Sequence, residues 1–435
     1  MLYSALSAPI ICQIELTSAC NCNCLYCYNH WRHGPKTKNS DMDVNLLDAI
    51  IDQIIENKVF QVVFTGGECL LVKETLFHGL RRLISNGISC TVNSNLTVIQ
   101  KADAETLYQV GVRGILTSVS SHNPETHDRI FHHKGAFDQA MRGIKICLDA
   151  GIGIAASMVL IKENVDDVIP TGLMLKSMGV RQFFATKASP PVNAVQFQRF
   201  MLAKEQLLRA MDDLNTLKHE HGMDVGILEC YPLCSYGLPD KYPFVAERRC
   251  SAGVTTITIG SNGDVRPCSH SDKVYGNMAK EGLRKSWESM GDQRDGSLLP
   301  QVCRTCELLS HCSGGCRVDA FCCSSRYDAL DPYANPGLVK QIVPGKRDIG
   351  RIDDAERFSV SPRLKFREET IGILCTDPNT MAIPVMLTPD TRDLILGLNG
   401  KEFDVAEVCN YTDLSCDDAR QLCGMLVADR IFLKS

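Results

Sequence analysis

The sequence lacks any apolar run approaching the ~20 residues that cross a bilayer as a helix. It also lacks a charge imbalance. Its 46 basic and 51 acidic residues leave a formal net charge of −5, so no nucleic-acid or membrane partner is expected. No basic segment precedes the apolar stretch of MLYSALSAPIICQIEL, so no secretory signal is expected and the expected compartment is the cytoplasm. Internal repeats and low-complexity tracts are absent. Cysteine is plentiful, yet its 22 residues are about 5% of the chain, below the roughly 8–10% of a disulfide scaffold. In a reducing compartment, clustered cysteines point to metal binding or chemistry instead. The remaining composition, 44% hydrophobic and 22% charged over 435 residues, fits two to four globular domains.

From residue 10 to about 221, two kinds of segment alternate. Short β-branched runs (IICQIELT, FQVVFT, SCTVNS, GILTSVS, IGIAASMVLI and RQFFATKA) read as strands. Between them lie stretches of helical period. Leu46, Leu47, Ile50, Ile51, Ile54 and Ile55 share one face after a capping Asp43, and Leu76, Leu80, Leu83 and Ile84 share another before Gly87. Weaker helical stretches follow at 102–110, 135–150 and 164–178, and a longer one at roughly 196–221. Six strand–helix units imply a parallel sheet with right-handed crossovers. Eight would close a barrel, so six predict an α/β fold with a partial (β/α)6 TIM-like barrel. Functional residues are expected where strands end and helices begin.

Residues 222–334 read differently, with one clear hairpin (TTITI-GSNG-DVRPC), little long helix and eight cysteines between 250 and 323. Metal ligation would supply the folding energy that so small an apolar core lacks. Residues 335–362 are rich in Pro, Gly and charge and read as a linker. Residues 363–435 form a last unit, with three strand-like runs (RLKFR, IGILCTD, AIPVML) before two or three helical ones. The expected organisation is therefore 1–221, 222–334, a linker at 335–362, and a winged-helix-like α+β domain at 363–435.

LTSACNCNCLYCY places Cys20, Cys24 and Cys27 at C-x3-C-x2-C directly after the first strand. Three thiolates on one loop can hold three corners of a cubane iron–sulfur cluster, leaving one iron open. The other reading is a structural zinc loop, which wants four ligands and would recruit Cys22 or His30. The spacing, with Tyr26 just before the last cysteine, resembles the radical S-adenosylmethionine (SAM) superfamily. The second strand ends in Thr65, Gly66, Gly67 and Glu68, similar to that family's motif for the methionyl amine of SAM, although Cys69 stands where Pro often follows. Asn95 and Ser118, at the ends of strands three and four, match positions that contact SAM in the family. The segment with His127, Asp128, Arg129, Gly135 and Phe137 resembles the peptide-modifying members, with Ser120 where that branch usually has Asp. For His127 and Asp128, hydrogen bonding at a helix start is the reading preferred over direct catalysis.

Cys303, Cys306, Cys312 and Cys316 lie at C-x2-C-x5-C-x3-C, and Cys250 and Cys268 precede them at C-x12-G-x4-C. This resembles the SPASM extension of radical SAM enzymes, which carries one or two auxiliary iron–sulfur clusters. The resemblance implies one cluster on Cys250, Cys268 and Cys316, and another on Cys303, Cys306 and Cys312. The family's last cysteine, after a D-P-x segment, is here Ala334, so Cys322 or Cys323 is expected to substitute or one iron to stay open. Zinc remains an alternative for this region.

The C-terminal unit resembles the leader-peptide-capturing domain of pyrroloquinoline quinone biosynthesis, which adds a peptide as an edge strand. Its Cys375, Cys409, Cys416 and Cys423 read as buried small apolar residues. Together the resemblances imply a [4Fe–4S] cluster that reduces SAM to a 5′-deoxyadenosyl radical. The expected reaction is oxidative modification of a ribosomally made precursor peptide, by C–C or thioether crosslinking, fed by a flavodoxin- or ferredoxin-type electron donor. Auxiliary clusters would then accept the product electron or bind a substrate thiolate. The rival readings are a formylglycine-forming sulfatase-maturating enzyme, a non-catalytic zinc-binding adaptor and a SAM-independent electron carrier. No single Asp or Glu stands out as a general base.

Overall fold

The computed structural model describes residues 3–32, 40–190, 197–237, 241–338, 350–380 and 384–434. No helix among them is long and apolar enough to cross a membrane. Six strands follow one another in space as in sequence: β1 (Ile11–Glu15), β2 (Gln61–Thr65), β3 (Ser89–Asn93), β4 (Gly114–Ser118), β5 (Gly153–Leu160) and β6 (Gln182–Lys187). All five pairings are parallel. Helices α1 (Val44–Glu56), α2 (Lys73–Ser85), α3 (Lys101–Val110), α4 (Pro124–Phe131), α5 (Ala136–Asp149), α6 (Val168–Ser177) and α7 (Lys204–His219) make the crossovers and the outer layer.

The local causes are visible. Asp43 caps α1 by accepting from the Asn45 and Leu46 amides, and Leu47, Ile50, Ile51 and Ile54 are buried. In α2, Gly79 makes room for the Phe64 ring of β2, which a Cβ there would approach to 2.8 Å. The helix α4 has no matching periodicity in the expectations above. It starts from Asn123, which accepts from the Thr126 amide, with Pro124 at its first turn.

The sheet does not stop at six strands. β7 (Asp224–Gly226) adds to β6 in parallel. On the other edge β8 (Thr256–Ile259) pairs in parallel with β1 and turns through Asn262-Gly263 into β9 (Asp264–Arg266), followed by β10 (Gly276–Asn277). The hairpin expected in the cysteine-rich unit is thus part of the barrel's own ten-stranded sheet. A buried ion pair between Arg266 of β9 and Glu15 of β1 ties the two, and the same guanidinium donates to the Ser271 carbonyl at 2.9 Å.

The C-terminal part has its own core around Phe358, Phe403 and Phe432. It contains two three-stranded sheets. β11 (Phe358–Val360) lies between β15 (Glu402–Phe403) and β16 (Phe432–Lys434), while β12 (Lys365–Glu369), β13 (Gly372–Thr376) and β14 (Val385–Leu387) form the second. Helices Pro389–Leu398, Val405–Thr412 and Cys416–Ala428 complete it. β11 falls in the stretch read as linker, which corrects that boundary: Phe358 belongs to the terminal core. Residues 339–349 of that stretch lie outside the described residues. Arg367 docks this unit on the barrel, donating to the carbonyls of Ala8 (2.8 Å), Pro9 (2.9 Å) and Lys58 (3.2 Å), all just before β1 and β2.

Candidate active site and cysteine centres

The loop after β1 carries Cys20, Cys24 and Cys27 to the mouth of the barrel. All three line one cavity of about 370 Å³ together with Gly66, Gly67, Glu68, Asn95 and Ser118. The loop is seated by backbone. The Gly67 amide donates to the Thr17 carbonyl (2.7 Å) and the Glu68 amide to that of Ala19 (2.8 Å). A Cβ on Gly66 would lie 2.5 Å from the Thr17 oxygen, and one on Gly67 only 1.9 Å from the Ala19 oxygen. These glycines were expected to let a ligand approach. They first admit the cysteine loop itself. From the other side, the amides of Asn23 and Leu25 donate to the carbonyls of Phe131 (3.0 Å) and Ile130 (2.9 Å) at the end of α4.

Glu68 is buried, and its carboxylate accepts from Ser94 Oγ (2.8 Å) and from the amides of Asn95 (2.8 Å) and Leu70 (3.0 Å). It clamps the end of β2 to the end of β3. Burial nevertheless pushes its pKa up, against those hydrogen bonds. Asn95 lies two residues past β3, and its amide side chain donates to Asn21 Oδ1 at 2.9 Å inside the cysteine loop. Ser118 is the last residue of β4 and faces the cavity. Cys69 is buried, with its thiol 3.4 Å from the Asn93 carbonyl.

Tyr26 is buried against the edge of Phe131, and its hydroxyl lies 2.9 Å from Ser120 Oγ. The Ser120 amide donates to His127 Nδ1 (3.2 Å), and His127 stacks on Phe131. Burial lowers the His127 pKa to about 4, so the ring is neutral at physiological pH. Asp128 accepts from the Gly135 and Phe137 amides and so caps α5. Both residues therefore hold α4 and α5 in place beneath the cysteine loop.

Burial pushes the Cys20, Cys24 and Cys27 thiols above the usual range, and for Cys24 the neighbouring cysteines add to the effect. Protein groups alone leave these thiols protonated, so a bound metal's charge is what would release the protons. Cys22 also lines the cavity and is pushed up to about 12 by burial. The His30 side chain lies outside the described residues. Among the described residues, no three His, Cys, Asp or Glu side chains converge closely enough for one metal ion.

Further around the mouth, Cys250, Cys268 and Cys316 line the same cavity, and so does Cys230. Cys230 packs with Cys316, Cys250 and Cys268 in one cluster. Outside the cavity, Cys303, Cys306 and Cys312 form a second group with Cys234. The expectations above had no role for Cys230 or Cys234. Cys322 packs at the edge of the first group, but its thiol is directed at the Pro190 carbonyl (3.4 Å), and that of Cys323 at the Met201 sulfur (4.0 Å). Between the first cysteine loop and these groups, buried Lys187 at the end of β6 pairs with buried Asp319, three residues after Cys316. Near it, buried Asp331 accepts from the Cys316 amide at 2.8 Å, and burial raises its pKa to about 6.

A family model for the radical SAM superfamily matches residues 14–175, which carry this loop and the Gly-Gly-Glu platform, and a model for an iron–sulfur cluster-binding SPASM domain matches 250–307. The chain is a radical SAM enzyme with a SPASM domain. The cofactors of a radical SAM/SPASM enzyme are iron–sulfur clusters and S-adenosylmethionine. It is similar to the PqqA peptide cyclase of Xanthomonas oryzae pv. oryzae (strain MAFF 311018), 25% identical over 373 residues, covering 82% of this chain and 95% of that one. It is also similar to an AdoMet-dependent heme synthase of Methanosarcina barkeri, 23% identical over 75% of this chain and 96% of that one. Among solved structures, Streptococcus suis SuiB bound to S-adenosylmethionine matches with a TM-score of 0.61 at 19% identity, covering 76% of this chain and 78% of that one.

Proposed function

We propose that this radical SAM enzyme oxidatively modifies a ribosomally made precursor peptide, forming a C–C or thioether crosslink. The supporting observation is a three-thiol loop that shares one cavity with a second cysteine group. The related peptide cyclase, matched over 95% of its length, supports a peptide substrate. Cys20, Cys24 and Cys27 hold the SAM-binding [4Fe–4S] cluster; the donor set fits, because three half-buried thiols open on one cavity and no fourth protein ligand is required of a site that must leave one iron for SAM. When bound, the cluster supplies the electron that cleaves SAM to a 5′-deoxyadenosyl radical, which takes a hydrogen atom from the substrate.

The chain's own residues position and shield. Gly66, Gly67 and Glu68 present backbone and a carboxylate to the amino group of SAM, while Asn95 and Ser118 line its path. Tyr26, Phe131 and His127 close the apolar side of the loop and exclude water. Residues 1–221 supply the six-stranded half-barrel, 222–334 extend its sheet and supply the auxiliary clusters, and the C-terminal unit captures the leader segment of the precursor. A flavodoxin- or ferredoxin-type protein in the cytoplasm delivers the electrons.

The test is anaerobic, reduced enzyme with SAM, assayed for 5′-deoxyadenosine, and with the candidate precursor, assayed by mass for loss of two hydrogens. Cys24→Ala is expected to abolish 5′-deoxyadenosine formation. A variant that keeps wild-type turnover would overturn the assignment.

A further inference from the structure

Two cysteines at one short turn decide what the auxiliary centres can do. Cys230 lies three residues before a single turn of 3-10 helix, Leu233–Ser235, and Cys234 lies within it. On one side Cys230 packs with Cys316, Cys250 and Cys268, and Cys322 lies at the edge of the same cluster. On the other side, Cys234 neighbours Cys303, Cys306 and Cys312, and the Leu233 amide donates to Cys312 Sγ at 3.3 Å. The decisive contact is at Ala334. The next residue, Asn335, donates its amide to Cys234 Sγ at 3.3 Å. The stretch that carries Ala334 thus passes directly beside Cys234, so the thiol missing from the former is supplied by the latter. Cys322 and Cys323, the expected substitutes, are turned to Pro190 and Met201.

We infer that Cys230 and Cys234 are the fourth ligands of the two auxiliary clusters, so that both are fully bound by cysteine and neither offers an iron to a substrate thiolate. Cys230 completes the set Cys250, Cys268 and Cys316; Cys234 completes Cys303, Cys306 and Cys312. A saturated cluster exchanges electrons without binding substrate. This inference rests on the radical SAM/SPASM reading, but its test does not use the SAM site.

The full chain carrying Cys20→Ala, Cys24→Ala and Cys27→Ala is reconstituted anaerobically and its iron, sulfide and reduced electron paramagnetic resonance spectrum are measured. Roughly eight irons per chain are expected, two clusters of four. Adding 2-mercaptoethanol as a small free thiol should leave the spectrum unchanged. Introducing Cys234→Ala should remove about four irons or make one signal respond to that thiol. Cys234→Ser, which keeps shape and a weaker ligand, should retain the irons with shifted g-values. Cys322→Ala and Cys323→Ala should change neither iron nor spectrum. The inference is overturned if the background chain holds no iron, if its spectrum already responds to the free thiol, if Cys234→Ala and Cys234→Ser both match the parent, or if a Cys322 or Cys323 variant loses a cluster. Failure of the catalytic reading shows separately, as absent 5′-deoxyadenosine in the unsubstituted enzyme.

Discussion

The two cysteine regions of this chain are built on opposite plans. The first puts its three thiols within eight residues of one loop, and the protein seats that loop with backbone. The Gly66-Gly67 platform lies on one side and the last carbonyls of α4 on the other. The second gathers thiols from 230–234, 250–268 and 303–316, and its framework is short: Gln301–Arg304 and Leu309–Cys312 are single turns, and Cys306 is exposed. A site that must keep one coordination position open needs a rigid seat, because geometry there is not fixed by a closed ligand set. A site closed by four thiolates draws its order from the metal. The difference is one of where the folding energy comes from.

The sharpest way to break this contrast is Gly67→Ala. Its Cβ would collide with the Ala19 carbonyl, so the loop must leave its seat. The expected outcome is loss of the SAM-binding cluster and of essentially all 5′-deoxyadenosine formation, while the auxiliary irons remain in the chain. Iron counting beside the activity assay checks both halves. If Gly67→Ala lost all irons together, the two regions would not be independent.

A smaller effect is expected at their junction. Lys187 and Asp319 are both fully buried, one on the barrel and one beside Cys316. Lys187→Met leaves the carboxylate without its partner and should destabilise the fold by about 3–5 kcal/mol. Chemical denaturation of the cluster-loaded enzyme measures it. The double variant Lys187→Met with Asp319→Leu should recover most of that loss.

The smallest effect concerns the first loop alone. Tyr26→Phe removes one buried hydrogen bond to Ser120, worth about 0.5–1.5 kcal/mol. Melting temperature should fall by a few degrees at most, with the cluster retained. A loss of iron in this variant would mean that the Tyr26 hydroxyl, and not the glycine platform, holds the loop.

The same contrast explains what could be read from the sequence. Cys20, Cys24 and Cys27 announce themselves because their spacing is local, and the six strands because each is followed by its own helix. Cys230 and Cys234 sit 20 to 86 positions from their proposed partners in the chain, and C-x3-C alone carries no ligand signal. Likewise, β8 looked like half of an isolated hairpin, since nothing in TTITI reveals that its other neighbour is β1. The strands β11, β15 and β16 have only two or three residues each, too few for alternation to register, so the sheet at Phe358 was hidden within a polar stretch. Glu68 was legible as a site residue, but its two hydrogen bonds to the β3 side were not, because they depend on where β3 ends.

The anchor of the C-terminal unit has a consequence for substrates. Arg367 grips carbonyls at the start of β1 and β2, and Lys365 reaches Asn86 before β3, all on the floor of the barrel opposite the cysteine loop. A peptide tethered there must travel the height of five-residue strands, ~17 Å at about 3.3 Å per residue, before any atom reaches the radical. Under the proposed capture of the leader by this unit, docking signal and reactive residue would be separated by at least about five extended residues. A precursor with a shorter spacer would be held firmly yet out of reach of the chemistry.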